Sequence, residues 1–505
     1  MTRVVREGDP PLAMADGSET RHPRLAFLLL LFTEVWERFG YYGMSSIAVL
    51  YMVERVGLGD ARADLIWGAF SAMVYSLPIL GGYIGDRILG ARRTLVLGLV
   101  TLALGYLLLS IPLADAFFPG LGLIALGNGL YKVNPSNLVS RLYEGDRNKL
   151  DILFTLYYMA LNIGAFFSIL LLPWMTLHST WLVRLGPLRF DSWHLAFGTS
   201  ALGLLLGLLG FLAWQHRYLR FYGTAADFRG LDWRKLAIVI AVALAVAWLC
   251  AEIIQRRAAA LGVAALALAV VIVVFARVLR DGDQRERRRM WACVVFTLIL
   301  GIWAIYNQQI YTSLTLFALR NVQHRFLGFQ VSPAQFQDLN QFWLVVLAVP
   351  LAWFYHRMQQ RARGDFSMAS KYAVGLYLTA AGFFLYAASG LGARAGVVSP
   401  WWLVAGYGAQ SFGELLISAL STSMVAQFAP ERARGVILGA ALIAVGVSSY
   451  AGSAIASLAR FGRALVPAST TVPVYMHLFG ALGLAALVCA VIVSFAVPAL
   501  KRLAA

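Results

Sequence analysis

Stretches of about twenty apolar residues, the length that crosses a bilayer as a helix, recur from end to end of this 505-residue chain. They fall at 25–53, 62–85, 93–112, 117–140, 150–175 and 193–214, then at 235–254 and 259–279. Six more follow at 290–318, 336–357, 371–390, 400–428, 434–457 and 474–498. Lipid offers no hydrogen bonds, so each run must satisfy its backbone internally, as a helix does. Charged residues make up only 13% of the chain, about half the share of an ordinary globular domain. The sequence therefore predicts an all-α polytopic membrane protein with about 14 transmembrane helices, two six-helix bundles and two helices inserted between them.

The net charge of +17 does not point to nucleic acid, because the basic residues form no single stripe and no aromatic-basic module. They gather instead in alternate connectors such as DRILGARR, SRLYEGDRNK, HRMQQRARG and PERARG. Positive charge stays on the cytoplasmic side, which places both termini in the cytoplasm of a multi-pass protein of the cell inner membrane. The expected organisation is a cytoplasmic tail at 1–24, a bundle at 25–220, a linker with two extra helices at 221–289, a second bundle at 290–500 and a cytoplasmic end at 501–505. The inserted pair carries no interior charge and reads as a peripheral hairpin. Cys250, Cys293 and Cys489 all sit in apolar runs, which suits core or lipid-facing residues. No hydrolase, metal or phosphate-loop motif is present, so neither an enzyme nor a metal or cofactor site is expected.

Within the first run stands EVWERFGYYG, Glu34 to Gly43. A charge at mid-bilayer costs about 2.5–3.5 kcal/mol on insertion scales, so Glu34, Glu37 and Arg38 must face a protein or water interior and find partners. Helical spacing puts Glu34, Arg38, Tyr41 and Ser45 on one stripe. The fourth run, LGNGLYKVNPSNL, carries Lys132 one turn from Pro135, which removes a backbone donor and favours a kink. Lys132 is expected to pair with Glu34 and Glu37. The corresponding run of the second half carries Glu414, with Ser418 one turn on. A site between two pseudo-symmetric halves would thus have a cation on one wall and an anion on the other. Further polar groups are Tyr157, Tyr158 and Asn162 in the fifth run, Trp303 to Thr312 in the seventh bundle helix, and Asn340 near the start of the eighth. The second run ends in GGYIGDRILGARR, where Asp86 and Arg87 mark a possible gate latch.

These motifs resemble the proton-dependent oligopeptide transporter family of the major facilitator superfamily. Glu34-x-x-Glu37-Arg38-Phe39-x-Tyr41-Tyr42-Gly43 matches its first-helix motif at every defined position, and Phe154 to Ser168 resembles its second signature. GNGLYKVNPS, the Gly413-Glu414 pair and TSLTLFALRNV agree in order and spacing, and the bacterial branch with two extra helices is most similar. The resemblance implies a symporter of di- and tripeptides, with the proton as coupling ion and no other cofactor. It implies that Glu34, Glu37 and Arg38 couple protons to Lys132, which also holds the peptide carboxylate. Glu414, with Asn162 and Asn340, would receive the peptide amino group, beside aromatic pockets near Tyr41, Tyr42, Tyr157 and Trp303. The alternative is transport of another small solute, such as an amino-acid conjugate, nitrate or a drug-like molecule. Two departures bear on substrate range: Ser45 stands where many relatives have arginine, and Ala441 where a large aromatic is common.

Overall fold

The structure, a computed structural model, describes residues 22–143, 147–177, 182–359, 367–418, 421–459, 461 and 466–504. Most of the expected N-terminal tail, residues 1–21, lies outside the described residues.

The chain is helical almost throughout. In the first part it forms α1 (Pro23–Glu54), α2 (Asp60–Ser76), α3 (Pro78–Tyr83), α4 (Ala91–Ser110), α5 (Phe117–Tyr131), α6 (Asn134–Leu142), α7 (Arg147–Thr176) and α8 (Ser192–Tyr218). The inserted pair is α9 (Trp233–Gln255) and α10 (Arg257–Asp281). Then come α11 (Gln284–Gln308), α12 (Ser313–Asn321), α13 (Asp338–Gln359), α14 (Met368–Ala388), α15 (Trp401–Ile417), α16 (Ser421–Phe428), α17 (Arg434–Ala456) and α18 (Ala468–Ala504). Every apolar run read from the sequence is represented. Among the described residues, eleven stretches are long and apolar enough to cross a membrane. The three remaining runs are α1, interrupted by its charges, the broken pair α5–α6, and α15 with α16, between which residues 419–420 lie outside the described residues.

Two compact units make up the chain. One runs to Met44 and resumes over Met73–Gln255; the other holds Ser45–Ala72 and Arg256–Ala505. The inserted pair is divided: α9 belongs to the first unit and α10 to the second. In the first unit α9 lies on α5, where a side chain on Gly122 would stand 2.3 Å from the Ala247 carbonyl oxygen. In the second unit α10 packs on α17. The reading of this pair as one peripheral hairpin is thus refined, since each helix is part of a different compact unit.

Small residues let the helices of the first unit approach closely, as membrane packing without a hydrophobic drive requires. A side chain on Gly164 of α7 would meet the Val35 carbonyl oxygen of α1 at 2.5 Å. One on Gly81 of α3 would meet the Gly129 carbonyl oxygen of α5 at 2.0 Å. The connector after α3 turns at Gly90, whose φ of +99° favours glycine. Asp227 then caps α4 from a distance in sequence: its carboxylate accepts the Ala91 and Arg92 N–H groups at 2.9 and 3.1 Å. The Asp191 carboxylate caps α8 in the ordinary way, accepting from the Trp193 N–H at 3.0 Å.

The Gly81–Gly129 crossing leaves no room for a methyl group against a backbone oxygen. Gly81→Ala is expected to lower stability by about 1–3 kcal/mol or more, the scale of overpacking. Gly230→Ala, where the new methyl meets no atom within 4 Å, should leave the unfolding midpoint of the purified protein unchanged. Equal midpoints for both variants would contradict the packing argument.

Candidate functional site

The first unit collects its charges on α1. Glu34 and Glu37 are 3% and 0% exposed, and Arg38 is buried between them. The Arg38 Nε lies 2.5 Å from the Glu37 Oε2 and 3.4 Å from the Glu34 Oε1, so one guanidinium serves two carboxylates. The Tyr131 hydroxyl donates to the Glu34 Oε2 at 2.8 Å. Tyr157 is buried within electrostatic reach of Glu34 and Arg38. The second oxygen of Glu37, Oε1, is buried without a hydrogen-bond partner among the described residues. Arg38 also stands over the Tyr41 ring at 5.6 Å, and Tyr41 meets Tyr42 edge to face at 5.4 Å.

Lys132 departs from the expected pairing. Among the described residues it makes no ion pair with Glu34 or Glu37; its Nζ sits 4.5 Å from the centre of the Tyr75 ring. The reason is that Arg38 already satisfies both carboxylates from their own helix. The expected kink is a full break. Helix α5 ends at Tyr131, and α6 begins at Asn134, whose side-chain amide donates to the Leu130 carbonyl at 2.7 Å. Lys132 therefore occupies the C-terminal end of α5, where the partial negative charge of the helix favours a cation.

The second unit builds a separate polar cluster around Glu414 of α15. The Asn340 side-chain amide donates to the Glu414 Oε2 at 2.9 Å, and that of Asn307 at 3.4 Å. Asn340 also donates to the Ser411 hydroxyl at 3.0 Å. Trp303, one turn before Asn307 on α11, is half-buried. Ser418 spends its hydroxyl on the Glu414 carbonyl, 3.0 Å away on its own helix. Asn162 does the same with the Tyr158 carbonyl at 2.8 Å. Ser45 is 1% exposed, and its hydroxyl finds no hydrogen-bond partner among the described residues.

In the connector between α3 and α4, Asp86 and Arg87 are both exposed. The ordered contacts there belong to their neighbours. The Arg92 Nε lies 3.6 Å from the Asp227 Oδ1, and an Nη of Arg93 donates to the Arg229 carbonyl at 2.8 Å. Sequence reasoning singled out Asp86 and passed over Asp227, which lies more than a hundred residues away in an unremarkable linker. It also left out Asn307 and Tyr131 as site residues, although Asn307 follows Trp303 by one turn and Tyr131 adjoins Lys132.

A polytopic helical protein with buried, internally paired charges in its spans is a membrane transporter by class. The comparisons narrow that class. Residues 92–472 match the POT family. Dipeptide and tripeptide permease B of Xenorhabdus bovienii is 36% identical, over 94% of this chain and 96% of that protein. Dipeptide and tripeptide permease A of Salmonella typhimurium is 37% identical, over 95% and 93% respectively. The crystal structure of tetrameric PepTSo2 superposes with a TM-score of 0.84 at 38% identity, covering 95% of this chain and 99% of that one. A structure of the peptide transporter POT in complex with alafosfalin gives 0.81 at 28% identity, covering 95% of each chain. This chain belongs to the POT family, and its fold is that of the major facilitator superfamily.

Tyr131→Phe removes the donor to a buried carboxylate while keeping the ring. Bonds to charged groups contribute about 1.5–3 kcal/mol, so the unfolding midpoint should fall accordingly. A midpoint equal to that of the unaltered protein would show that the Tyr131–Glu34 bond contributes nothing.

Proposed function

We propose that this protein is a proton-coupled symporter that imports di- and tripeptides by alternating access. The observation that carries the reading is the pair of buried carboxylates, Glu34 and Glu37, sharing the single guanidinium of Arg38. Relatives named as dipeptide and tripeptide permeases match nearly the whole chain, which supports peptides as the substrate class.

Charge counting gives the mechanism. Glu34, Glu37, Arg38 and Lys132 sum to zero when all are ionised. Lys132, resting on the Tyr75 ring and not on a carboxylate, is available to a peptide carboxylate. Once engaged there, it leaves two carboxylates to Arg38 alone, one negative charge in excess. A proton restores neutrality, and the unpartnered Glu37 Oε1 is the oxygen placed to accept it. Deprotonation then frees a carboxylate to compete for Lys132 and expel the peptide. The four groups titrate as a set. The Glu414 carboxylate, oriented by Asn340 and Asn307, takes the peptide amino group. Recognition of the two chain ends leaves side chains to the aromatic surfaces of Tyr41, Tyr42, Tyr157 and Trp303, which suits a transporter of varied peptides. The second reading, transport of another small solute on the same fold, would show as failure of dipeptides to compete with that solute.

In liposomes an inward proton gradient should accelerate dipeptide uptake; uptake indifferent to the gradient would refute coupling. Glu37→Gln should abolish gradient-driven uptake while sparing peptide exchange across the membrane, and retention of driven uptake would remove Glu37 from the coupling step.

Glu414→Gln keeps the shape of the side chain and removes its charge. A charge-assisted bond of about 1.5–3 kcal/mol corresponds to about a tenfold to hundredfold loss of affinity. Apparent peptide affinity should fall by that factor, and N-terminally acetylated peptides, which lack the ammonium, should be insensitive to the change. Equal loss for both substrates would place the amino group elsewhere.

A further inference from the structure

A second group of buried charges lies in the other compact unit, and the coupling mechanism above does not use it. Asp60 opens α2, and Asp64 follows one turn on; they are 0% and 1% exposed. Arg320 of α12 meets Asp60 through two bonds, Nε to Oδ2 at 2.8 Å and Nη2 to Oδ1 at 2.6 Å. The guanidinium is held from its other side by the Phe461 ring at 5.5 Å. Its place in the chain is fixed by Asn321, whose amide donates to the carbonyls of Gly396 and Ala468 at 3.0 and 2.9 Å. Asp64 receives no such partner: it makes no ion pair among the described residues, and its Oδ1 is buried without a hydrogen bond.

Among the described residues the surroundings supply no second cation for Asp64. Tyr475 of α18, fully buried, is within electrostatic reach of Asp60, Asp64 and Arg320, but a phenol brings no positive charge. Glu54, Arg55 and Arg62 are exposed, and the His324 ring is bonded to the Ala318 carbonyl at 3.0 Å. Arg320 thus pairs with Asp60 and leaves Asp64 a buried carboxyl without a cation among the described residues, and burial of an unpaired charge is the costly alternative to neutralising it.

We propose that Asp60, Asp64 and Arg320 form a one-proton site, with the proton carried by Asp64 while Arg320 holds Asp60. The two carboxylates are related by one helical turn, so they are neighbours on a single helix face. Arg320 can therefore pass from one to the other, and the proton moves in the opposite sense. A proton from water bonds to a carboxylate oxygen of Asp64; on transfer of Arg320 to Asp64 that proton returns to water or to Asp60, and Arg320 remains protonated throughout. Charge in the loops assigns this end of α2 to the exterior, so the proton comes from the side of high proton concentration. Its role in transport rests on the symport reading; its existence does not.

The test is infrared difference spectroscopy on the full protein in lipid, supported by uptake measurements. Unaltered protein minus Asp64→Asn should show a carboxylic-acid C=O band that shifts on deuteration. Unaltered protein minus Asp60→Asn should show the same band, because a single remaining carboxylate pairs with Arg320 and needs no proton. Uptake should follow the same pattern: each single variant should retain gradient-driven uptake within a few-fold, with an altered dependence on external pH. The double variant, which strands Arg320, should lose uptake at least tenfold. If Asp64→Asn fails to fold, the Asp60→Asn spectrum decides. Absence of the acid band from either difference spectrum, or an Asp60→Asn variant as impaired as the double, would overturn the proposal. Loss of the band in both variants without proton-driven uptake by the unaltered protein would leave the site standing and refute the symport reading.

Discussion

The sharing of Arg38 by Glu34 and Glu37 sets the terms for the first compact unit. Three ionised groups on one membrane helix are tolerable only where lipid is excluded and every charge has a partner. Arg38 meets the first need of both carboxylates from within α1, so the cluster forms with that helix and does not wait for a distant lysine. Exclusion of lipid comes from close approach. Gly164 brings α7 onto the backbone of α1 at Val35, and Gly203 of α8 admits the Trp36 ring. The Tyr131 hydroxyl supplies Glu34 with a neutral donor from another helix. Packing and electrostatics are therefore one problem here, solved by glycines on the neighbouring helices.

The same logic separates charged from neutral site residues. The long, apolar spans carry Tyr157, Trp303, Asn307 and Asn340. The charged Glu34 and Lys132 stand on spans interrupted by charge or by a break. At Lys132 the break follows from Pro135 and is satisfied by the Asn134 side chain. It places an ammonium at a helix C-terminus, which the helix dipole favours. Glu414 lies near the C-terminal end of α15, where the dipole opposes an anion. The amides of Asn340 and Asn307 compensate, donating to the same carboxylate oxygen from two other helices. Among the described residues that carboxylate has hydrogen-bond donors but no cation, an arrangement that the proposed peptide ammonium would complete.

Much of this was legible because bilayer length and apolar runs are properties of the sequence itself. All the expected spans correspond to helices, and Glu34, Glu37, Arg38 and Glu414, singled out within them, build the two clusters, whereas buried Asp64 in the second span drew no notice. What the sequence hid was partnership. Lys132 was assigned to Glu34 and Glu37 by counting opposite charges, but Arg38 lies nearer along the same helix and occupies both. Asp227 caps α4 from across the linker, and neither local spacing nor periodicity connects the two. Asn162 and Ser418 are expected from the sequence to be substrate-binding groups beside Glu414. In the structure each bonds a carbonyl one turn back, the local alternative always open to small polar side chains in helices. Division of the inserted pair between the two units was equally invisible, because two apolar helices in succession read the same whether they pack together or apart.

Ser45 shows how a single position ties these features together. An arginine there, as in many relatives that the first-helix motif resembles, would give α1 a second cation and a peptide carboxylate a partner of its own. Serine supplies neither, and in the structure it is sealed from solvent. Among the described residues Lys132 is then the cation beside the cluster that no carboxylate holds. In the proposed mechanism a peptide carboxylate and the Glu34–Glu37 pair would draw on it in turn. Competition of two anionic claimants for one ammonium would make peptide binding and carboxylate protonation interdependent without any further device. On that proposal serine at position 45 would strengthen the link between substrate and proton, since a carboxylate anchor independent of Lys132 would let the peptide bind without disturbing the charge balance of the cluster.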